Sequence, residues 1–363
     1  MFDIPMPRIE VTAHRAEKKR CTCGHVTTAP FPITVTSSVQ YGEHIKGVAV
    51  YFNQYQLLPY SRCIETLEDL YGAKVCESSL LNFNEYTYAA LASTENQIKS
   101  ALQKAAVLNV DESGVRVEGQ LHWVHSASTN QLTFYQHHSK RGAVAMDEIG
   151  ILPNYTGKLV HDHLKAYFRY TNCLHSACNA HHLRELVFLV EQGRLQWAGE
   201  MVRLLIIIKR AVDRAKQREH AVLNPKLQRL FSQRYDDLVE TGLAQEDCLE
   251  AAQSRSGTTK KRGRRKQSKA KNLLDRLKGY KADTLRFMAD FDVPFDNNQA
   301  ERDIRMVKLK QKVSGTFRSQ QGAKMFFRVR GYLSSAKKQG HKMLEALTLC
   351  FQGQPLALTG AST

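Results

Sequence analysis

Two aspartates close short apolar runs in the middle of the chain. Asp111 follows Val107-Leu108-Asn109-Val110, and Asp162 follows Lys158-Leu159-Val160-His161. Such runs read as buried strands, and ligands collect at the carboxyl ends of strands in an open α/β sheet. If the first and fourth strands are neighbours, the two carboxylates lie side by side and repel unless a proton or a cation sits between them. Mg²⁺ or Mn²⁺ suits that donor set, with substrate phosphate completing the shell. Glu301 is the best third acid. It lies within Asp296-Asn297-Asn298-Gln299-Ala300-Glu301-Arg302, where Asp296, just after Pro294, is placed to cap a helix over 297–309. On that helix Ala300, Ile304 and Val307 would pack on the sheet. Asn297, Asn298, Glu301, Arg305 and Lys308 would share an adjoining stripe at i±3 and i±4. The same glutamate could instead pair with Arg305 on an exposed face. Three carboxylates around two ions about 3.5–4 Å apart would support in-line phosphoryl transfer, with water or a 3′-hydroxyl as nucleophile.

The elements that must position these acids can be read along the chain. Residues 1–40 form an irregular arm broken by Pro5, Pro7, Pro30 and Pro32. Residues 41–104 are helical: one helix over His44–Tyr55, a second from Pro59 that ends before Gly72, and a third capped by Ser78 or Ser79. Helix, Gly-containing turn, helix is the outline of a helix-turn-helix, and equally of any small helical bundle. Residues 105–180 change character. Strands over 107–111, 115–117, 121–126 and 132–137 turn at Glu118-Gly119; a helix over 142–149 and strands over 158–161 and 173–177 follow. This order predicts an α/β fold with a mixed sheet, preceded by a helical region and interrupted by a large helical insertion over 181–294. Residues 295–353 carry the Glu301 helix and a basic C-terminal lobe, and 354–363 read as a tail.

Charge narrows the class of partner. Lysine and arginine number 52 against 35 acids, a formal net charge of +17. Two stretches account for all of the surplus: Arg255–Lys271 has nine basic residues and no acid, and Glu301–Lys342 has twelve basic residues and two acids. Positive charge focused in this way suits a polyanion such as nucleic acid. Arg262, Arg264 and Arg265 in the linker, Arg302, Arg305 and Lys308 on the helix, and Arg318 beside Phe317 are the candidate contacts, the last combining backbone pairing with aromatic stacking. Hydrophobic residues make up 42% of the chain, which excludes wholesale disorder. The longest aliphatic stretch, Leu204–Ile208, is far short of the roughly 20 residues that cross a bilayer, and the first residues lack a basic-then-apolar leader. A cytoplasmic location without membrane contact is expected. Eight cysteines are too sparse for a disulfide scaffold. Cys21-Thr22-Cys23-Gly24-His25 resembles half of a zinc knuckle; it has no second close pair, and zinc is not expected there.

Five motifs occur in order: Asp111-Glu112-Ser113-Gly114, His161-Asp162, Cys178-Asn179-Ala180-His181, Asn297-Asn298-Gln299-Ala300-Glu301-Arg302 and Gly315-Thr316-Phe317-Arg318-Ser319. Together they resemble the insertion-sequence-66 family of bacterial transposases, over roughly 21–353. The resemblance implies a ribonuclease-H-like catalytic domain in which Asp111, Asp162 and Glu301 are the catalytic, metal-binding triad, using two Mg²⁺ or Mn²⁺ ions. It implies cleavage at the element's 3′ ends and strand transfer into target DNA, by a homo-oligomer on DNA, with accessory proteins of the same element, near the nucleoid. Cys178 and His181 match a Cys-x-x-His signature. Two ligands alone do not make a zinc site, so a structural role at the start of the insertion is expected, with Arg184 one turn on meeting DNA or the domain surface. Relatives carry a longer N-terminal region, so an N-terminally shortened transposase is expected. The alternatives are a catalytically decayed DNA-binding remnant and a nuclease without joining activity.

Overall fold

The computed structural model describes residues 1–3, 7–193, 195–255, 267–358 and 360. Arg262, Arg264 and Arg265 lie outside the described residues. The chain divides into two compact units: residues 1–97, 116–120 and 308–358 in one, and 98–115, 121–307 and 359–363 in the other.

The first unit opens on a hairpin, β1 (Lys18–Arg20) and β2 (Val26–Thr28), paired antiparallel around the Cys21–His25 turn. Helix α1 (Glu43–Val50) runs into a π-helical turn, Tyr51–Tyr55, rather than continuing as one α-helix. Helix α2 (Tyr60–Tyr71) follows Pro59 and stops at Gly72, whose φ of +67° is the left-handed cap that glycine adopts without strain. Helix α3 (Glu77–Ala90) begins after Cys76, which stands at the cap position expected for a serine. Cys76 Sγ lies 3.1 and 3.2 Å from the Ser78 and Ser79 hydroxyls. Helix α4 (Ala92–Gln103) completes the helical region.

The second unit is built on a mixed five-stranded sheet: β3 (Val107–Val117), β4 (Gln120–Ser128), β5 (Thr133–His138), β6 (Lys158–His161) and β7 (Leu174–Ala177), in the order β5-β4-β3-β6-β7. Helix α5 (Ala143–Ile149) connects β5 to β6. Strands β3, β6 and β7 run parallel, and β4 pairs antiparallel with β5. This is the ribonuclease-H-like mixed α/β arrangement, with the first and fourth strands adjacent. One expectation fails in detail: 107–117 is a single strand, so Asp111 stands at its middle and not at its end. The expected gap between 107–111 and 115–117 is absent: Gly114 stays in the strand, and a Cβ there would meet the Leu121 side chain at 3.3 Å. The chain turns instead at Glu118 and Gly119, whose φ values of +52° and +75° make a two-residue hairpin turn of the primed kind.

Between β7 and the Glu301 helix lie α6 (Asn179–Gly193), α7 (Gln196–Gln217), α8 (Pro225–Arg255), α9 (Lys269–Gly279) and α10 (Lys281–Ala289). They have a core of their own, in which Trp197, Met201, Leu205, Ile208, Tyr235 and Leu274 are fully or almost fully buried. Helix α11 (Asn298–Ser314) runs five residues beyond the expected end at Leu309. Helices α12 (Gln320–Lys338) and α13 (Met343–Phe351) close the chain, and both pack on α3 in the first unit.

The start of α11 is anchored from three sides. Asp296 Oδ1 accepts the Asn298 N–H at 3.1 Å, the side-chain cap expected of it. Cys178 Sγ accepts the Asn297 N–H at 3.1 Å. The Asn297 side chain is fully buried against β3, donating to the Val110 carbonyl at 2.8 Å and accepting from Asn109 Nδ2 at 2.9 Å. Asn297 therefore faces the sheet and does not join the stripe with Arg305 and Lys308. Ala300, Ile304 and Val307 are buried as expected.

Two substitutions test this frame. Asn297→Ala strands a buried amide donor and a buried carbonyl, so it should lower unfolding stability by about 2–4 kcal/mol in urea denaturation. At Gly157, just before β6, a Cβ would meet the Ala105 carbonyl oxygen at 2.6 Å and the Tyr155 hydroxyl at 2.4 Å. Gly157→Ala should therefore cost about 1–3 kcal/mol by the same measurement, since the backbone oxygen cannot swing aside.

Candidate active site

Parallel pairing brings the two aspartates to one row of the sheet. The register matches Leu108 with Leu159 and Asn109 with Val160, and two residues further on it sets Asp111 beside Asp162. Asp111 Oδ1 accepts the Glu112 N–H at 2.9 Å, and Asp162 Oδ1 accepts the Leu164 N–H at 3.1 Å. Neither carboxylate ion-pairs with a lysine or arginine among the described residues. Burial, followed by repulsion from Glu112, Asp162 and Glu301, pushes the Asp111 carboxyl up to about 7. The site thus concentrates negative charge that a proton or a cation would offset.

Glu112, which sequence reasoning passed over, is almost fully buried beside Asp111. Arg141 donates to it from Nε and Nη2 at 3.1 and 2.9 Å, and the Tyr167 hydroxyl donates at 2.5 Å. Arg141 also lies over the Trp123 ring, 4.7 Å from its centroid. These contacts tie the segment after Asp162 to β3. Burial drives the Glu112 carboxyl upward, helped by Asp162, while the Tyr167 and Arg141 bonds pull it down. A second carboxylate directly after Asp111 was the signal available in the sequence. Next to Asp162, His161 is buried, and its Nε2 lies 3.1 Å from His175 Nδ1. Burial, and then the neighbouring histidines, hold its pKa well below the usual imidazole range, so it brings no positive charge to the acids.

The third acid arrives on the opening turn of α11. Glu301 accepts two hydrogen bonds from Arg184 Nη2, both at 3.0 Å, rather than pairing with Arg305. Arg184 therefore serves a carboxylate of its own chain, where DNA or the domain surface had been expected. His181 Nδ1 stands 3.6 Å from Glu301 Oε1, beyond hydrogen-bond reach, and is buried without a hydrogen-bond partner. Cys178, at the base of α6, is fully buried. The Cys178 sulfur, a His181 ring nitrogen and a Glu301 oxygen all lie within 4.8 Å of one another. Asp111, Asp162 and Glu301 form no group that tight: Glu301 reaches Asp111 through its charge while its oxygens are held by Arg184.

The candidate DNA contacts divide. Arg302, Arg305 and Arg318 are exposed, Arg302 donating to Gln299 Oε1 at 3.1 Å, and Lys308 is half-buried. Phe317 does not fit the stacking role expected of it. It is 5% exposed, its ring 5.4 and 5.3 Å from those of Phe326 and Phe327, with Lys310 Nζ 4.1 Å from its centroid. Its backbone bonds to the hairpin tip, accepting from Glu118 N–H at 2.9 Å and donating to Arg116 O at 3.0 Å. A ring already enclosed by apolar neighbours cannot open a face to a base.

No helix among the described residues is long and apolar enough to cross a membrane. No curated protein matches the chain. The family model described as "Transposase IS66 family" matches residues 38–325, a span that contains all three acids, the Cys178–His181 signature and Arg318. With most of its length matched and a ribonuclease-H-like sheet carrying the paired aspartates, this chain belongs to the IS66 family of transposases.

Proposed function

We propose that this transposase cuts the ends of its element and joins them to target DNA by in-line phosphoryl transfer, with Asp111, Asp162 and Glu301 holding two Mg²⁺ or Mn²⁺ ions. The observation that carries this reading is the pairing of Asp111 with Asp162 on adjacent parallel strands, with Glu301 seated by α11 within electrostatic reach. The donor set fits such ions: hard carboxylate oxygens, half-buried, with no lysine or arginine on either aspartate among the described residues. When bound, the ions activate the attacking water or 3′-hydroxyl and stabilise the leaving oxygen.

The protein's own residues position these groups. Arg141 and Tyr167 neutralise and fix Glu112, which holds the segment after Asp162 against β3. Arg184 balances the charge of Glu301 and orients its carboxylate. Arg302, Arg305 and Arg318 neutralise DNA phosphates, and Lys308 contributes from a half-buried position. The linker arginines Arg262, Arg264 and Arg265 add to this sequence-independent attraction. The protein acts as a homo-oligomer on DNA at the nucleoid, together with accessory proteins of the element.

Asp111→Asn should retain DNA binding and lose strand transfer from a pre-cleaved 3′-hydroxyl end by on the order of 10²–10³ or more, measured with Mg²⁺ or Mn²⁺. Undiminished joining would refute the catalytic assignment, and hydrolysis without joining by the parent would favour a plain nuclease. Arg318→Ala should weaken binding to unrelated duplexes about equally, and reduce the slope of log affinity against log salt by about one. A loss confined to one sequence would contradict phosphate neutralisation.

A further inference from the structure

We propose that Cys178, His181 and Glu301 form a second metal site, one that takes a thiophilic divalent ion such as Zn²⁺. The pair Cys178 and His181, one helical turn apart, supplies two ligands; the fold brings a third from 120 residues along the chain. Their ligand atoms already lie within 4.8 Å of one another. Three protein ligands with water in the fourth position are a recurrent zinc arrangement. A thiolate, a carboxylate and a neutral imidazole together balance a doubly charged ion. The thiolate separates this site from the all-oxygen aspartate pair, since sulfur favours zinc over magnesium.

Three further observations support the site. His181 Nδ1 is a buried ring nitrogen without a hydrogen-bond partner, 3.6 Å from the Glu301 oxygen. The Asn297 N–H donates to Cys178 Sγ at 3.1 Å, a bond that would hold a ligating sulfur in place. The Asn179 N–H donates to the Phe295 carbonyl at 3.1 Å, so the segments bearing Cys178 and Glu301 are fastened to each other before any ion arrives. A cation is already on Glu301, the Arg184 guanidinium. That side chain is 58% exposed and can turn out to solvent as the ion enters. Binding releases the Cys178 thiol proton to water and leaves the sulfur as thiolate. Because Glu301 is shared, filling this site draws it away from the paired aspartates, a consequence that rests on the function proposed above.

Co²⁺ reports thiolate ligation directly. The probe is Co²⁺ alone, added to the chelator-treated full chain carrying Cys21→Ser and Cys23→Ser, which removes the exposed N-terminal thiols. The expected result is a sulfur-to-cobalt charge-transfer band with tetrahedral visible absorption, abolished by Cys178→Ser. His181→Gln should weaken Co²⁺ binding roughly tenfold or more with an unchanged circular dichroism spectrum. No band before the Cys178 change, or a band that survives it, overturns the proposal. If Cys178→Ser fails to fold, unaltered Co²⁺ affinity in His181→Gln overturns it equally. Asp111→Asn should keep the band; if it also keeps strand transfer, the catalytic reading falls while the thiophilic site stands.

Discussion

The buried amide pair between Asn109 on β3 and Asn297 before α11 is the contact on which the arrangement of acids depends. Asn297 offers one donor and one acceptor to β3, and both are used inside the protein, at 2.8 and 2.9 Å. Hydrogen bonds shielded from water are costly to leave half-made, so such a pair fixes position more strictly than apolar contact does. It fixes the height of the helix start against the strand that carries Asp111, two residues beyond Asn109. Apolar packing by Ala300, Ile304 and Val307 then sets the rotation of the helix, which turns Glu301 toward the site.

The electrostatics follow from that geometry. Asp111 feels the charges of Glu112, Asp162 and Glu301, Glu112 feels that of Asp162, and burial disfavours ionisation of Asp111 and Glu112. Two of the four have guanidinium partners: Arg141 on Glu112 and Arg184 on Glu301. Among the described residues the aspartates have neither lysine nor arginine, and the neighbouring His161 is held neutral. Compensation is therefore distributed unevenly: Glu112 has the Arg141 guanidinium, and the paired aspartates have no such partner among the described residues. Such asymmetry leaves the aspartates with negative charge that a proton or a cation would offset.

Much of this was legible in the sequence, for reasons that also explain the misses. The apolar runs before Asp111 and Asp162 are long enough to declare strands, and their order allows the first and fourth strands to be neighbours, as they are. Asp296 announces the cap of α11. The expected gap between 107–111 and 115–117 is absent, because Gly114 lies under the Leu121 side chain of the next strand, a contact that local sequence does not show. The partner of Glu301 was invisible: Arg184 lies 117 residues earlier, on a helix whose approach depends on the whole insertion. Phe317 beside Arg318 suggested a stacking platform, but Phe326 and Phe327, about two turns into α12, already enclose the ring. Sequence adjacency reveals chemical type, whereas the burial of a side chain is decided by residues far along the chain.

The helical excursion between β7 and α11 begins and ends at one place. The Asn179 N–H meets the Phe295 carbonyl, and Asn179 Nδ2 reaches the Thr284 carbonyl at 2.9 Å. More than a hundred residues thus leave the sheet and return through a closed neck, with a separate apolar interior beyond it. Lengthening or trimming such a loop changes its closure entropy only logarithmically. Relatives could therefore differ widely in the size of this excursion while the strands and the neck, and so the spacing of the acids, stay the same.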